Sequence, residues 1–203
     1  MPLITAKTLD LMPPLFSEGL EDWSRGHGTP DTPTYAAGRD AALVSDDADF
    51  GTCLELRKSG SIQRLRYMGE VPMLRGAFLQ VSARLKVVSP PAPRVRISAW
   101  PGGAFGLGID GLPMTGPDIA LPIQNLVYEV SAVIARSSMP GVDIVWDSRV
   151  VYAHVGLDLT GAQHGSVRIE SIRVRDVSDM FQAAVIPMPG FAESDRTFDR
   201  ETD

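Results

Sequence analysis

Three histidines, one cysteine and 25 acidic residues are the raw material for catalysis in this 203-residue sequence. His27 stands in a Gly-rich loop, His154 in a strand-like run and His164 in a turn. No two share the i, i+4 helical spacing of a zinc protease, and no Gly-x-Ser-x-Gly elbow occurs. The run Gly102-Gly103-Ala104-Phe105-Gly106-Leu107-Gly108 lacks both a Gly-Lys-Ser/Thr ending and a following helix. It therefore reads as a flexible loop rather than a phosphate cradle. The acid pairs Asp46-Asp47 and Glu21-Asp22 have the chemistry of a glycosidase. That reaction needs two carboxyls facing each other roughly 5–9.5 Å apart, which linear spacing does not establish. Cys53 stands alone, so neither an intrachain disulfide nor a cysteine-based zinc site can form. It reads as a small buried hydrophobe.

Binding has better material. Arginines and aromatics alternate with apolar residues in several runs, giving Arg64, Arg66, Arg96, Trp100, Trp146, Tyr152 and His154 as candidate ligand-binding residues. Arg84 is of the same kind. Sugars offer C–H patches that stack on flat rings, and hydroxyls that need planar donors. A sugar carboxylate can be held by a guanidinium fork. Two plainer readings stand beside this one. Outward arginines are ordinarily solvated and blunt sheet edges against aggregation, and Trp23 reads as a core plug rather than a sugar platform.

These side chains must be positioned by strands. Apolar runs recur at 41–44, 53–57, 62–68, 78–88, 94–100, 126–134, 142–146, 151–159 and 167–174, separated by Ser59-Gly60, Pro90-Pro91, Pro101-Gly102-Gly103, Pro140-Gly141 and 161–165. In 94–100, Val95, Ile97 and Ala99 face one way while Arg94, Arg96, Ser98 and Trp100 face the other. In 77–88, Leu79, Val81, Ala83, Leu85 and Val87 oppose Gln80, Ser82, Arg84 and Lys86. Such alternation marks antiparallel strands with one wetted face. The alternation skips between Ile169 and Ile172, which predicts a bulge near Glu170-Ser171. The expected fold is all-β: a two-sheet antiparallel sandwich of jelly-roll type over 1–180, followed by an extended acidic arm over 181–203. Residues 101–125 read as one long loop that is functional or packs over a sheet. A short helical turn is expected near Asp179.

The formal net charge of −6 is uneven, because from Gln182 onward five acids face two arginines. The body is near balance, which argues against a duplex nucleic-acid partner and an anionic membrane surface. No apolar run reaches the ~18 residues of a membrane span, and the first residues lack the pattern of a secretory signal. Synthesis in the cytoplasm without export is the expectation.

Residues 15–24, Leu-Phe-Ser-Glu-Gly-Leu-Glu-Asp-Trp-Ser, resemble the opening strand of carbohydrate-binding-module jelly rolls, and residues 166–174 resemble their closing strand. A further likeness runs through 22–30, 47–56 and 63–69, which are similar to alphaproteobacterial proteins of gene transfer agents, the phage-like particles that carry host DNA. Together the resemblance covers about 15–175 and not the tail. It implies a head-spike-associated, non-catalytic attachment protein that grips capsular cell-surface polysaccharide and sits on the particle surface after lysis. Other particle structural proteins would then be partners. Weak attachment would gain strength from many copies, in an array or a homo-oligomer. The resemblance also implies that Glu18 and Glu170 share a structural calcium ion, although no cofactor is required; solvated acids are the alternative. Two other functions remain open: an assembly protein that binds only other subunits, and a small glycan-active enzyme.

Overall fold

The computed structural model describes residues 8–10, 23–24 and 40–182. Within them the chain forms β1 (Thr8–Asp10), β2 (Trp23–Ser24), β3 (Ala41–Asp47), β4 (Gly51–Ser59), β5 (Gln63–Tyr67), β6 (Val71–Pro72) and β7 (Phe78–Ser89). It continues through β8 (Arg94–Gly102), β9 (Ile119–Ala120), β10 (Val127–Ala135), β11 (Ile144–Val145), β12 (Tyr152–Thr160) and β13 (His164–Asp176), and α1 (Ser178–Gln182) follows. The predicted arm lies outside the described residues apart from its first two positions.

Period-two sequences with one apolar face can bury that face only against another sheet, and two sheets result. The first runs β11-β10-β7-β13-β4-β3, with β1 beside the far end of β13. The second runs β2-β5-β12-β8-β9, with β6 beside the start of β12. Every described pairing is antiparallel except that of β10 with β11. The protein is thus the expected all-β sandwich of jelly-roll type.

The core lies between the sheets. Val81, Ala83, Leu85 and Val87 of β7, with Val167, Ile169, Ile172 and Val174 of β13, face Val95, Ile97 and Ala99 of β8 and Val155, Leu157 and Leu159 of β12. Each fully buried aliphatic side chain contributes about 1.5–3 kcal/mol. The register of β13 against β7 shifts between Ile169 and Ser171, so a bulge sits where the alternation skips. Trp23 is fully buried and tilts against Tyr67 with ring centroids 5.4 Å apart, the core plug anticipated above.

Residues 103–125 do not wander. Residues 108–120 lie along the outer border of β8, where Ala99 donates to the Met114 carbonyl and Gly116 to the Ile97 carbonyl, and Asn125 then donates to the Val87 carbonyl of β7. Further bridges join Ser98 to Thr115 and Gly102 to Gly108, and β9 pairs with Arg94 and Val95. Leu121, buried to 1% exposure, pins the segment to the core.

Candidate functional site

The outer face of the second sheet collects most of the candidate residues. In β12 the side chains of Tyr152, His154 and Asp158 point away from the core, because Ala153, Val155, Leu157 and Leu159 point into it. The antiparallel register sets Asp158 between Arg64 of β5 and Arg96 of β8. Gly156 falls between Arg66 and Ser98, and His154 lies opposite Trp100. From Tyr152 to Asp158 the row runs about 20 Å along the strand.

Asp158 is the hub of the charged end. Its Oδ2 accepts from Arg96 Nε and Nη2, each at 3.2 Å. Its Oδ1 lies 3.8 Å from Arg64 Nε and 3.7 Å from Arg66 Nη2, within ion-pair reach but beyond hydrogen-bond length. The carboxylate side chain is 1% exposed, while those of Arg64 and Arg96 are 24% and 21% exposed. Asp118 reaches Arg96 Nε at 4.0 Å and accepts a hydrogen bond from Thr160 Oγ1 at 3.0 Å.

Arg66 lies beside this hub. Gly156 has no side chain, and a Cβ there would collide with the Leu65 carbonyl of β5, so the two strands need glycine to approach this closely. The guanidinium sits 5.1 Å from the Trp100 ring centroid, with Nη2 3.4 Å from Ser98 Oγ. Burial pushes Arg66 down to about 10; Asp158 opposes that shift and neighbouring Arg64 adds to it.

The aromatic end follows. Tyr152 meets His154 edge-on at 5.3 Å, and the Tyr152 ring covers Gly102. His154 Nδ1 lies 3.2 Å from the Gly69 carbonyl. Trp100 and Tyr152 are both half-buried, leaving part of each at the surface.

Two expectations need correction, and a third falls partly outside the described residues. Trp146 is not on this face: it is 1% exposed in the core, with Nε1 donating to the Pro113 carbonyl at 2.5 Å. It follows β11 directly, two positions after Ile144, so the alternation that buries Ile144 carries on to bury it too. Arg66 and His154 belong to the face but are only 3% and 8% exposed, so they support it from beneath rather than present themselves to a ligand. For the implied calcium pair, Glu18 lies outside the described residues, and both oxygens of Glu170 accept from Arg84 Nη1 at 2.7 Å. No group of three His, Cys, Asp or Glu that could hold a metal occurs among the described residues. A carboxylate already closed by a guanidinium does not fit a calcium shell of 6–8 oxygens.

Sequence reasoning passed over Asp158, Gly156 and Asp118. The signal was present in 152–160: Tyr152, His154, Gly156 and Asp158 occupy alternate positions between Ala153, Val155, Leu157 and Leu159. An acid at the centre of so apolar a strand needs a cationic partner on each side.

A second charged cluster lies on the outer face of the first sheet. Asp47 accepts from Lys86 Nζ at 2.8 Å and Arg168 Nη1 at 2.8 Å, and from the backbone amides of Asp49 and Phe50. Burial works to raise the Asp47 carboxyl, but these bonds prevail and hold it far below the usual carboxylate range. Beside it, burial pushes the Cys53 thiol up to about 11, with Asp47 adding to the effect, so Cys53 is inert. Every acid here is satisfied within the cluster, which serves to clip the β3–β4 turn to the sheet.

No protein-family model matches the sequence, and no curated protein does. Solved structures do resemble the fold. One is a xylan-binding domain of carbohydrate-binding-module family 22, with a TM-score of 0.52, 10% identity, and 80% of this chain and 92% of that chain covered. Another is the family 11 carbohydrate-binding module of the Clostridium thermocellum cellulase Lic26A-Cel5E, with a TM-score of 0.50, 17% identity, and 85% and 95% covered. At such identities the likeness establishes the architecture: this chain has the sandwich fold of carbohydrate-binding modules.

Proposed function

We propose that the protein binds cell-surface polysaccharide without transforming it, through the outer face of β5, β12 and β8. One observation carries this reading. Residues as far apart in sequence as Arg64 and His154 are brought by strand order onto one surface, where part-exposed Arg64, Arg96, Trp100 and Tyr152 stand over a buried support of Asp158, Arg66 and His154. Rings and planar donors side by side suit stacking on sugars and bonding to their hydroxyls. The family 22 neighbour is a xylan-binding domain, which is consistent with such use of the fold. Among the described residues, Asp118 and Asp158 both lie within ion-pair reach of Arg96, an arrangement for charge balance rather than proton transfer.

The particle setting rests on the sequence likeness in 22–30, 47–56 and 63–69. In it the protein is made in the cytoplasm, joins a gene-transfer-agent or similar phage-like particle, and meets capsule after lysis. Affinity electrophoresis in gels cast with capsular polysaccharide tests the binding. Trp100→Ala and Tyr152→Ala are each expected to weaken retardation about tenfold, the effect of about 1.4 kcal/mol, without shifting the melting temperature much. Undiminished retardation in both variants would remove this face from the function.

A second reading, subunit docking alone, is favoured by one feature. Phe105 is fully exposed at the tip of a tight turn that Gly103 closes by donating to the Leu107 carbonyl, and its φ of 61° is rare for a bulky residue. Leu107 is 66% exposed beside a groove of ≈ 560 Å³ lined by Ala104, Ile109, Asp110 and Arg149. Phe105→Ser is expected to leave retardation in polysaccharide gels unchanged. If the docking reading holds, it lowers the protein's recovery with purified particles, measured by immunoblot.

A further inference from the structure

Among the described residues Phe105 is the most exposed large apolar side chain, at 100%. Its backbone is left-handed at a φ of 61°, and Gly106 follows at 72°. The turn is locked from two sides. Gly103 donates to the Leu107 carbonyl at 2.8 Å and Leu107 to the Ala104 carbonyl at 3.4 Å, while Gly102 and Gly108 are bridged at its base. A turn that needed only this backbone would hold glycine or asparagine at 105, where a left-handed φ costs little. The ring is instead held outward against the preference of its own backbone, which calls for a contact outside the molecule.

The same turn that raises this knob also walls a hole. Ala104 and Leu107, on either side of Phe105, line the groove together with Ile109, Asp110 and Arg149. The apolar surface continues past the turn. Val151 donates to the Gly102 carbonyl and Met73 to the Val151 carbonyl, which brings Val151 and Leu74 to its base, 41% and 67% exposed. A knob and a hole side by side on one locked turn favour one symmetry. Turn laid against turn about a two-fold axis puts each ring in the other copy's groove, and the contact closes after two copies.

The charges of the groove are complementary to themselves. Asp110 makes no ion pair among the described residues, and Arg149 lines the same groove with the opposite sign. Arg149 holds Asp147 through Nε and Nη2, while its Nη1 makes no hydrogen bond among the described residues. Across a two-fold axis each Asp110 meets the Arg149 of the other copy. A buried Phe removes about 150–250 Å² from water. Two rings and their apolar neighbours therefore reach only the low end of specific interfaces, below about 1,200 Å². Such a pair is weak and comes apart on dilution.

We infer that two copies of this chain pair through the 103–110 turn, the Phe105 ring of each seated in the groove beside Leu107 and Ile109 of the other. This rests on Phe105 being a docking tip, the second reading above, and not on sugar binding.

Sedimentation velocity of the full chain, from micromolar to millimolar, reads the association. The sedimentation coefficient is expected to climb with concentration toward that of a dimer. Phe105→Ser should stay at the monomer value and melt as the native chain does. Phe105→Gly suits the left-handed backbone, so it should melt no lower and still stay monomeric, which separates the ring from the turn. Asp110→Lys and Arg149→Glu should each be monomeric alone, because like charges then face each other across the axis. An equal mixture of the two should pair, since each brings the charge that the other has lost.

A native chain that stays monomeric at millimolar concentration overturns the pairing; lowered recovery of Phe105→Ser with particles would then leave the tip as a dock for a different subunit. Association that persists in Phe105→Ser overturns it as well, because the copies would be meeting elsewhere. A mixture of the charge variants that fails to pair where native chains do removes the two-fold arrangement, and the reciprocal seating goes with it. Sugar binding, read in polysaccharide gels, stands or falls apart from all three results.

Discussion

Trp146 lies between the sheets with its indole N–H on the Pro113 carbonyl, so it fastens the 103–125 segment as well as filling the core. Trp146→Ala is expected to cost about 3–5 kcal/mol of stability in a urea titration. The affinity of the molecules that remain folded should be unchanged in a polysaccharide gel. Loss of retardation at full folding would return Trp146 to the binding surface. At this scale sequence was a good guide to orientation and a poor one to depth. The alternation in 94–100 places Arg96 and Trp100 on the outer side, where they are. The same period, followed from Ile144, would have sent Trp146 inward. Arg66 and His154 face the right way and are nonetheless covered, because their exposure depends on Gly156 letting strands close up and on contacts to Ser98, Trp100 and Gly69. None of those neighbours is adjacent in sequence.

Among the elements, the β3–β4 turn depends most on charge. Asp47 ties it to Lys86 of β7 and Arg168 of β13, and also caps the amides of Asp49 and Phe50. Because its carboxyl is held below the ordinary value of about 3.9, the stability it contributes is fully present above that pH and is lost as pH falls below it. Thermal melts of the native protein should therefore fall steeply between about pH 4 and pH 2. Asp47→Asn should give a lower but flatter profile over the same interval, and parallel profiles would refute this role. Removing one partner of so buried a pair costs about 3–5 kcal/mol. Element positions were largely legible: the runs at 78–88, 94–100 and 151–159 became β7, β8 and β12, and the skipped alternation marked the bulge in β13. The run at 142–146 yielded only the two residues of β11, because Asp143 spends its carboxylate on the Val133 amide at 2.8 Å just before the strand. Loop 101–125 held more than its Gly-Pro content suggested, since Met114, Gly116 and Ile119 match β8 by backbone bonds that composition does not encode.

For the molecule as a whole, fold class followed from periodicity, whereas the meeting of Arg64, Arg96 and Asp158 followed from strand order, a property of the entire chain. The strap along β8 has one more result. A bare strand border invites a sister molecule or any stretched peptide to continue the ladder, the usual beginning of fibrous aggregation. Here the ladder along that border is already completed by the protein's own 108–120 stretch. Copies of the chain brought side by side therefore find that border already occupied, and the face proposed for binding beside β8 stays open to what lies outside.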